Sequence, residues 1–227
     1  MGGIPFFRGH ASSEWELTPS LGRLALAAMA KVGYDELFKF ESTLHSRFAQ
    51  RGARLLPDDD DGWATLLAMQ HHGLPTRLLD WSLTFAIALH FALTNPAHDE
   101  AAIWILNPYE LNQTTRQSVA LIDAPSVGDY GKLYCERDAP KEPDVIAITA
   151  TEHSPRLLGQ HAVFTLHNRL DMALEALHPT CLRKITIPSS AYKDARQFLY
   201  LGGVSEFALF PDLDGLAREL RRTFCFD

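Results

Sequence analysis

Cysteine is scarce in this chain of 227 residues, which has only Cys135, Cys181 and Cys225. The three lie far apart, are odd in number and form no closely spaced pair. Small secreted domains and structural zinc sites usually show paired cysteines. The sequence therefore predicts neither a disulfide framework nor a zinc site, and indicates a protein of the reducing cytoplasm.

Positive charge is also in short supply. The chain has 21 Lys and Arg against 28 Asp and Glu, which gives a formal net charge of -7. A protein that binds nucleic acid by neutralising many phosphates normally has a basic surplus, so only a local basic groove remains possible. No apolar run approaches the ~18 residues of a membrane span, and no basic segment with an apolar stretch opens the chain. We expect a cytoplasmic protein without a membrane partner.

Several widespread catalytic motifs are missing. The sequence contains no GxSxG, no HExxH, no GxxxxGK and no GxGxxG. These motifs carry the nucleophile elbow, the zinc-protease helix, the phosphate loop and the dinucleotide-binding turn. Their absence argues against most hydrolases, zinc proteases, nucleoside triphosphatases and Rossmann enzymes.

The residues that are present predict one α+β domain over residues 1–227. With 46% hydrophobic residues, the chain can form a substantial core. Apolar spacing and turn residues predict helices at about 35–50, from Trp63 to Gly73, at about 83–94 and 189–201, and from about Leu213 onward. Alternating or continuous apolar runs predict strands at 4–8, 102–106, 145–149, 161–167, 182–187 and 205–210. Residues 114–143 lack a regular pattern, which is typical of long loops.

The densest group of polar residues lies between Gln70 and Ser82. A structural segment seldom contains two histidines, an arginine, an aspartate and a tryptophan within so short a stretch. His71 and His72 are adjacent, so on a helix they point about 100° apart and cannot easily share a metal ion. The alternative is that one of them caps the helix before Gly73 and the other makes a buried hydrogen bond.

Five segments of the sequence resemble the FRG domain family, which is named for its (F/Y)RG sequence. They are Phe7–Gly9, Trp15–Arg23, Gln70–Ser82, Ala86–Phe91 and Phe210–Leu216. Together they run over nearly the entire chain. This resemblance identifies a family without supplying an activity.

A second resemblance, to ADP-ribosyltransferases of the Arg-Ser-Glu type, does suggest an activity. Those enzymes have a strand with aromatic-Arg-Gly, a strand ending in serine before an Ala-x-x-Phe helix, and a glutamate before a short strand. Phe7–Gly9, Asp80–Ser82 with Ala88–Phe91, and Ser205–Leu209 follow that order. The sequence departs from the pattern in having Asp-Trp-Ser for Ser-Thr-Ser, and Val204 where a second Glu or Gln is common. The resemblance implies a split pair of β-sheets with flanking helices.

The resemblance also implies roles for individual residues, with NAD as substrate and no metal ion. Breaking the bond between nicotinamide and ribose creates an oxocarbenium-like centre, which the carboxylate of Glu206 would stabilise. Arg8, together with Arg77, would bind the pyrophosphate through its planar guanidinium. Ser82 would hold the ribose or orient the carboxylate, and Trp81 or another aromatic residue would stack on the nicotinamide. The remaining residues expected to contact NAD are Gly9, His72 and Asp80.

Several of these residues also have a structural interpretation. Ser82 is a good helix N-cap whatever else it does. Arg8 could pair with Asp80 or Glu206 to close the sheet, and Arg77 could form a buried pair with Asp80.

The sequence therefore leaves three functions open. The first is ADP-ribose transfer to a protein or nucleic acid, or NAD hydrolysis, in a bacterial toxin or phage-defence setting. The second is non-catalytic recognition of a nucleotide, a peptide or a nucleic-acid end. The third is a metal-dependent nuclease that uses His71, His72 and Asp80.

Overall fold

The strands of the fold form a single sheet. The computed structural model describes residues 3–28, 34–94, 100–136, 142–149, 159 and 161–224. Its strands are β1 (Phe6–His10), β2 (Leu78–Ser82), β3 (Glu100–Leu106), β4 (Ile122–Asp123), β5 (Val145–Thr149), β6 (Ala162–His167) and β7 (Leu182–Pro188). They are hydrogen-bonded in the order β4-β5-β6-β2-β1-β3-β7. All neighbours are antiparallel except β4 and β5.

Helices of very different length flank the sheet. They are α1 (Ser20–Ala28), α2 (Tyr34–Gly52), α3 (Trp63–His71), α4 (Phe85–Ala92), α5 (Pro108–Arg116), α6 (Leu174–Leu177), α7 (Tyr192–Leu201), α8 (Glu206–Leu209) and α9 (Leu213–Phe224). The predicted α+β class is confirmed. In the described part of the chain, no helix is both long enough and apolar enough to cross a bilayer.

The middle of the sheet is a weak seam between β1 and β2. These two strands share one registered pair, Phe7 with Ser82. By contrast, β1 pairs with β3 through five residues, and β2 pairs with β6 through five. The expected pair of separate sheets is therefore wrong in detail, because hydrogen bonds join all seven strands into one. The seam nevertheless divides the sheet into a β4-β5-β6-β2 half and a β1-β3-β7 half.

Two helices pack on the same side of the sheet, one over each half. Trp63 of α3 belongs to the apolar cluster that contains Phe164 of β6. Ala88 of α4 belongs to a second cluster, which contains Ile103 of β3. Because a helix and a strand must each bury their apolar face, these clusters fix α3 and α4 on either side of the seam.

Gly9 allows the close approach of α4 to β1. A Cβ atom at this position would lie 1.8 Å from the carbonyl oxygen of Ala88 and 2.6 Å from the amide nitrogen of Ala92. Any side chain there would collide with the helix backbone. Glycine is therefore required at position 9 because there is no room for a side chain. The close approach places the Arg8 main chain beside α4.

Several predicted boundaries need correction. The first strand does not end before Gly9 but continues to His10. Residues 205–210 do not form a strand, because Ser205 caps the short helix α8 by accepting a hydrogen bond from the Ala208 amide. The predicted loops at 114–143 contain the end of α5, strand β4 and one turn of π-helix at Gly131–Cys135.

Candidate functional site

A cavity of about 460 Å³ opens at the seam, between α3 and α4. Its size lies within the ~300–1,000 Å³ range of small-molecule sites. Both halves of the sheet, both helices and the segment after β1 contribute to its wall. The lining residues are Phe7, Arg8, Gly9, Ala11, Trp15, Leu67, Gln70, His71, Asp80, Trp81, Ser82, Ala88, Phe91, Thr94, Ala162 and Phe164.

Arg8 supplies the cation of this cavity. Its Nη1 donates a 2.6 Å hydrogen bond to the backbone oxygen of Asp80 and lies 3.8 Å from the Asp80 carboxylate. Its Nε donates to Nε2 of His10 at 3.0 Å. Burial lowers the pKa of the guanidinium, and the nearby Asp80 charge partly opposes that shift. An arginine remains charged in such surroundings, so a positive group faces the seam.

Asp80 places a carboxylate next to this guanidinium. Its side chain is 53% exposed and accepts a 2.7 Å hydrogen bond from Nε2 of Gln70. The Gln70 amide is itself oriented, because its oxygen accepts a hydrogen bond from the Thr76 hydroxyl. The carboxylate is thus held in place and still accessible from the cavity.

Ser82 and Trp81 line the cavity but are mostly buried. Ser82 is 5% exposed, and its hydroxyl accepts a 3.0 Å hydrogen bond from the Thr84 amide. The residue at the N-cap position of α4 is Thr84, so the prediction that Ser82 occupies that position is wrong. The Trp81 indole donates to the Thr165 hydroxyl at 3.1 Å. The indole N–H is therefore already occupied, and its ring offers an apolar surface.

Aromatic side chains form much of the remaining wall. Trp15 is 48% exposed, whereas Trp63, Trp81 and Trp104 are each no more than 9% exposed. The Trp15 ring meets the His10 imidazole edge to face, with centroids 6.1 Å apart. An exposed indole in the wall of a cavity is well suited to stack on a planar ring.

Arg77 lies in the core and not in the cavity. Its Nε donates to the Glu41 carboxylate at 2.7 Å, its Nη2 donates to the same carboxylate, and its Nη1 donates to the His167 backbone oxygen. Its guanidinium also stacks on the Tyr134 ring. Burial alone would lower the pKa of Arg77, but the Glu41 carboxylate raises it above the usual value. The proposed pair with Asp80 is replaced by a pair with Glu41, and the expected contact with pyrophosphate has no support in this placement.

His72 is also outside the cavity lining. It is the exposed C-cap of α3 and lies near Phe48, with ring centroids 6.5 Å apart. Its neighbour His71 lines the cavity instead. His72 therefore occupies the C-cap position that the structural alternative gives to one of the two histidines, and the half-buried His71 faces the candidate site.

Glu206 is not brought together with Arg8 and Ser82 in the cavity wall. It is 9% exposed and begins helix α8, where its carboxylate lies 3.2 Å from Nε2 of His90 and 3.1 Å from Nε of Arg218. His90 belongs to α4, whose Ala88 and Phe91 line the cavity. The expected three-residue cluster is thus incomplete, and the carboxylate that lines the cavity is Asp80.

The sequence interpretation missed three residues that matter here: His10, Gln70 and Trp15. His10 has a simple signal, since alternate residues of a strand share a face and His10 follows Arg8 by two. Gln70 and Trp15 lie in segments that carry the family resemblance. Among the described residues, no group of three or more His, Cys, Asp or Glu side chains could hold a metal ion, so the nuclease alternative has no supporting cluster there.

Residues 4–101 match the family model of the FRG domain. This match supports the resemblance to the FRG domain family over the first part of the chain. No curated protein and no solved structure matches the sequence. The matched residues include β1, α3, β2 and α4 and thus most of the cavity wall, whereas Ala162 and Phe164 lie outside the match. The segment Phe210–Leu216, which also carried the resemblance, lies beyond the matched residues.

Proposed function

We propose that the cavity between α3 and α4 binds NAD and that the protein transfers ADP-ribose to a macromolecule or hydrolyses NAD. The observation that carries the proposal is that Arg8, Asp80 and Ser82 line one cavity at the seam of the sheet. Two of the three residues expected from the Arg-Ser-Glu resemblance are in that wall. The acceptor would be a protein, a nucleic acid or water, and the setting a toxin or a phage-defence effector.

Arg8 supports the binding of a pyrophosphate. Its Nε and Nη1 already have protein partners, whereas Nη2 has none within the part of the chain that the structure describes. A guanidinium fixed in this way can donate to a phosphate oxygen without losing further side-chain freedom. A guanidinium placed in this way needs no basic surplus elsewhere, which agrees with a chain whose formal net charge is -7.

Asp80 supports the chemistry in place of Glu206. When nicotinamide leaves, its nitrogen takes the bonding electrons and C1 of the ribose becomes an oxocarbenium-like centre. Water or an acceptor hydroxyl then forms the new bond to C1 and releases one proton. A carboxylate near the ribose would stabilise the developing charge and accept a ribose hydroxyl proton in a hydrogen bond. We assign this role to Asp80 and no longer to Glu206.

The geometry also favours a second candidate, a non-catalytic nucleotide-recognition module. The Asp80 carboxylate is engaged by Gln70 and lies near Arg8, so it is already partly neutralised. A module of this kind would keep the cavity and bind NAD or its fragments without turnover.

Calorimetric titration of NAD and ADP-ribose into the wild type, R8K and R54K tests both candidates. R54K is the control, because Arg54 is exposed and does not line the cavity. We expect R8K alone to weaken binding by about tenfold or more, since lysine cannot reproduce the planar fork. Nicotinamide release that is lost in D80N would identify an enzyme, and binding without release would identify the module. Failure of the wild type to bind either ligand would contradict the proposal.

A further inference from the structure

His10 connects two parts of the cavity wall while lying behind it. It is on β1, two residues after Arg8 and therefore on the same face of the strand, and it is 4% exposed. Its Nε2 lies 3.0 Å from Nε of Arg8, and its Nδ1 lies 3.2 Å from the backbone oxygen of Trp15. One imidazole thus contacts both the cation of the cavity and the backbone of its exposed tryptophan.

The direction of both hydrogen bonds follows from the chemistry of arginine. A guanidinium has only N–H donors, so Nε2 of His10 must be the acceptor. The neutral ring then carries its proton on Nδ1, which donates to the Trp15 carbonyl. A protonated ring would have no acceptor for Arg8, so the contact requires neutral imidazole.

The surroundings favour that neutral form. Burial and then the positive charge of Arg8 lower the pKa of His10 to about 3, and Arg23 and Lys184 act in the same direction. The hydrogen bond to the Trp15 carbonyl opposes the shift and does not reverse it. His10 therefore keeps one tautomer and one set of contacts at neutral pH.

The contacts of His10 determine what Arg8 and Trp15 can offer a ligand. Because Nε of Arg8 is engaged from behind, the terminal nitrogens of the guanidinium are the ones directed elsewhere, one of them to the Asp80 backbone. The Trp15 backbone is held by the same ring, while its indole lines the cavity. A cation and an aromatic residue are then held in the wall of one cavity, which suits a phosphate attached to a planar base.

We propose that His10 is the positioning residue that ties the phosphate-binding Arg8 to a base-stacking Trp15 through its Nδ1–H tautomer. The choice of ligand, a phosphate joined to an aromatic base, rests on the proposed function. The link between the three residues does not, so it can be tested without any ligand.

The first test uses the unmodified protein. In a proton–nitrogen correlation spectrum, the imidazole nitrogens of His10 should show a protonated Nδ1 and an unprotonated Nε2 at neutral pH. The Nε–H signal of Arg8, assigned by its absence in R8K, should exchange slowly with solvent because it is hydrogen-bonded. A protonated Nε2 on His10, or a rapidly exchanging Arg8 Nε–H, would overturn the proposal.

The second test compares two amides that differ by one methylene. H10Q can place its amide oxygen near the position of Nε2 and keep an acceptor for Arg8, whereas H10N reaches only the position of Nδ1. We expect H10N to lose the protected Arg8 signal and to bind ADP-ribose about tenfold or more weakly. H10Q should keep the protected Arg8 signal and bind ADP-ribose more tightly than H10N, although it lacks the Nδ1–H donor to the Trp15 carbonyl. H72N is the matched control, because His72 is exposed and does not line the cavity.

A double variant separates positioning from general damage. If His10 acts through Arg8, adding H10N to R8K should weaken ADP-ribose binding little beyond R8K alone. Fully additive losses, or wild-type affinity in H10N, would overturn the proposal. If the wild type binds no ADP-ribose, the proposed function fails, and the tautomer and exchange measurements still decide the role of His10.

Discussion

Arg8 lies on β1 and Arg77 lies directly before the neighbouring strand β2, yet the two side chains have opposite surroundings. Arg77 is 1% exposed, and its three donor nitrogens are engaged by Glu41 and the His167 carbonyl. Arg8 is bonded to a neutral histidine and a backbone carbonyl, and its side chain keeps 21% exposure at a cavity. The guanidinium of Arg77 is matched by a buried carboxylate that it contacts directly, whereas Arg8 makes its hydrogen bonds to neutral acceptors and has a half-exposed carboxylate only at 3.8 Å.

The largest effect should come from breaking the Arg77 side of this comparison. E41A removes the carboxylate that accepts from Arg77 and from the Tyr130 hydroxyl at 2.6 Å. We expect the free energy of unfolding in urea to fall by about 3–5 kcal/mol, because a buried guanidinium loses its partner. The double variant E41L/R77M should recover part of the loss, and a loss below ~1 kcal/mol in E41A would contradict the structural role of the pair.

Gly9 tests the packing that places Arg8 at the seam. In G9A the new methyl group would collide with the Ala88 backbone, so α4 or β1 must shift. We expect a loss of about 1–3 kcal/mol in the free energy of unfolding and weaker nucleotide binding. G131A is the control, since its Cβ would meet only a side-chain oxygen of Asp129, at 3.3 Å. Equal stability of G9A and G131A would show that the close approach is not required.

The charges of both arginines affect the pKa of His167, so this histidine reports on the two regions together. Burial lowers its pKa to about 3, and the charges of Arg77 and Arg8 contribute to the shift. The unfolded chain takes up a proton at this histidine below about pH 6.5, whereas the folded protein does so only near pH 3. The stability associated with neutral His167 is therefore complete above pH 6.5 and is lost as the pH falls.

The corresponding measurement is the pH dependence of urea unfolding between pH 6.5 and pH 4. Each such histidine contributes a slope of about 1.4 kcal/mol per pH unit in this window. H167Q should have a shallower acid dependence than the wild type by about that amount, whatever its stability at neutral pH. Parallel curves would contradict the lowered pKa of His167.

The smallest effect on stability should come from the cavity side, at Asp80. D80N keeps the backbone oxygen that accepts from Arg8 and changes only a half-exposed carboxylate. We expect a change within about 0.5 kcal/mol in the free energy of unfolding, because exposed ion pairs contribute little. A loss comparable to that of E41A would show that Asp80 is structural and would remove the contrast between the two arginines.

The sequence predicted the positions of the strands better than it predicted how the strands pair. The apolar run at 145–149 coincides with β5, and the runs near 161–167 and 182–187 differ by single residues from β6 and β7. The alternation of residues at Ser205–Phe210 wrongly predicted a strand. The same order of residues can follow a serine that caps a helix. Local capping decided the structure there.

Residues of the site could be predicted from the sequence only where a continuous motif contains them. Arg8 and Gly9 come from the first motif, and Asp80, Trp81 and Ser82 come from the segment after the histidines, and all five line the cavity. The partner of Arg77, Glu41, lies 36 residues earlier on α2. That helix has more than one acidic residue, and the sequence does not show which of them pairs with Arg77. The placement of Glu206 likewise depends on tertiary packing against His90 and Arg218, which no spacing reveals.

A crystal structure of the protein with ADP-ribose tests the central claim most directly. The account predicts the pyrophosphate within hydrogen-bonding distance of the terminal nitrogens of Arg8, with a ribose beside Asp80 and a planar base against Trp15. An ordered ADP-ribose bound elsewhere, or an empty cavity with the ligand in large excess, would contradict it.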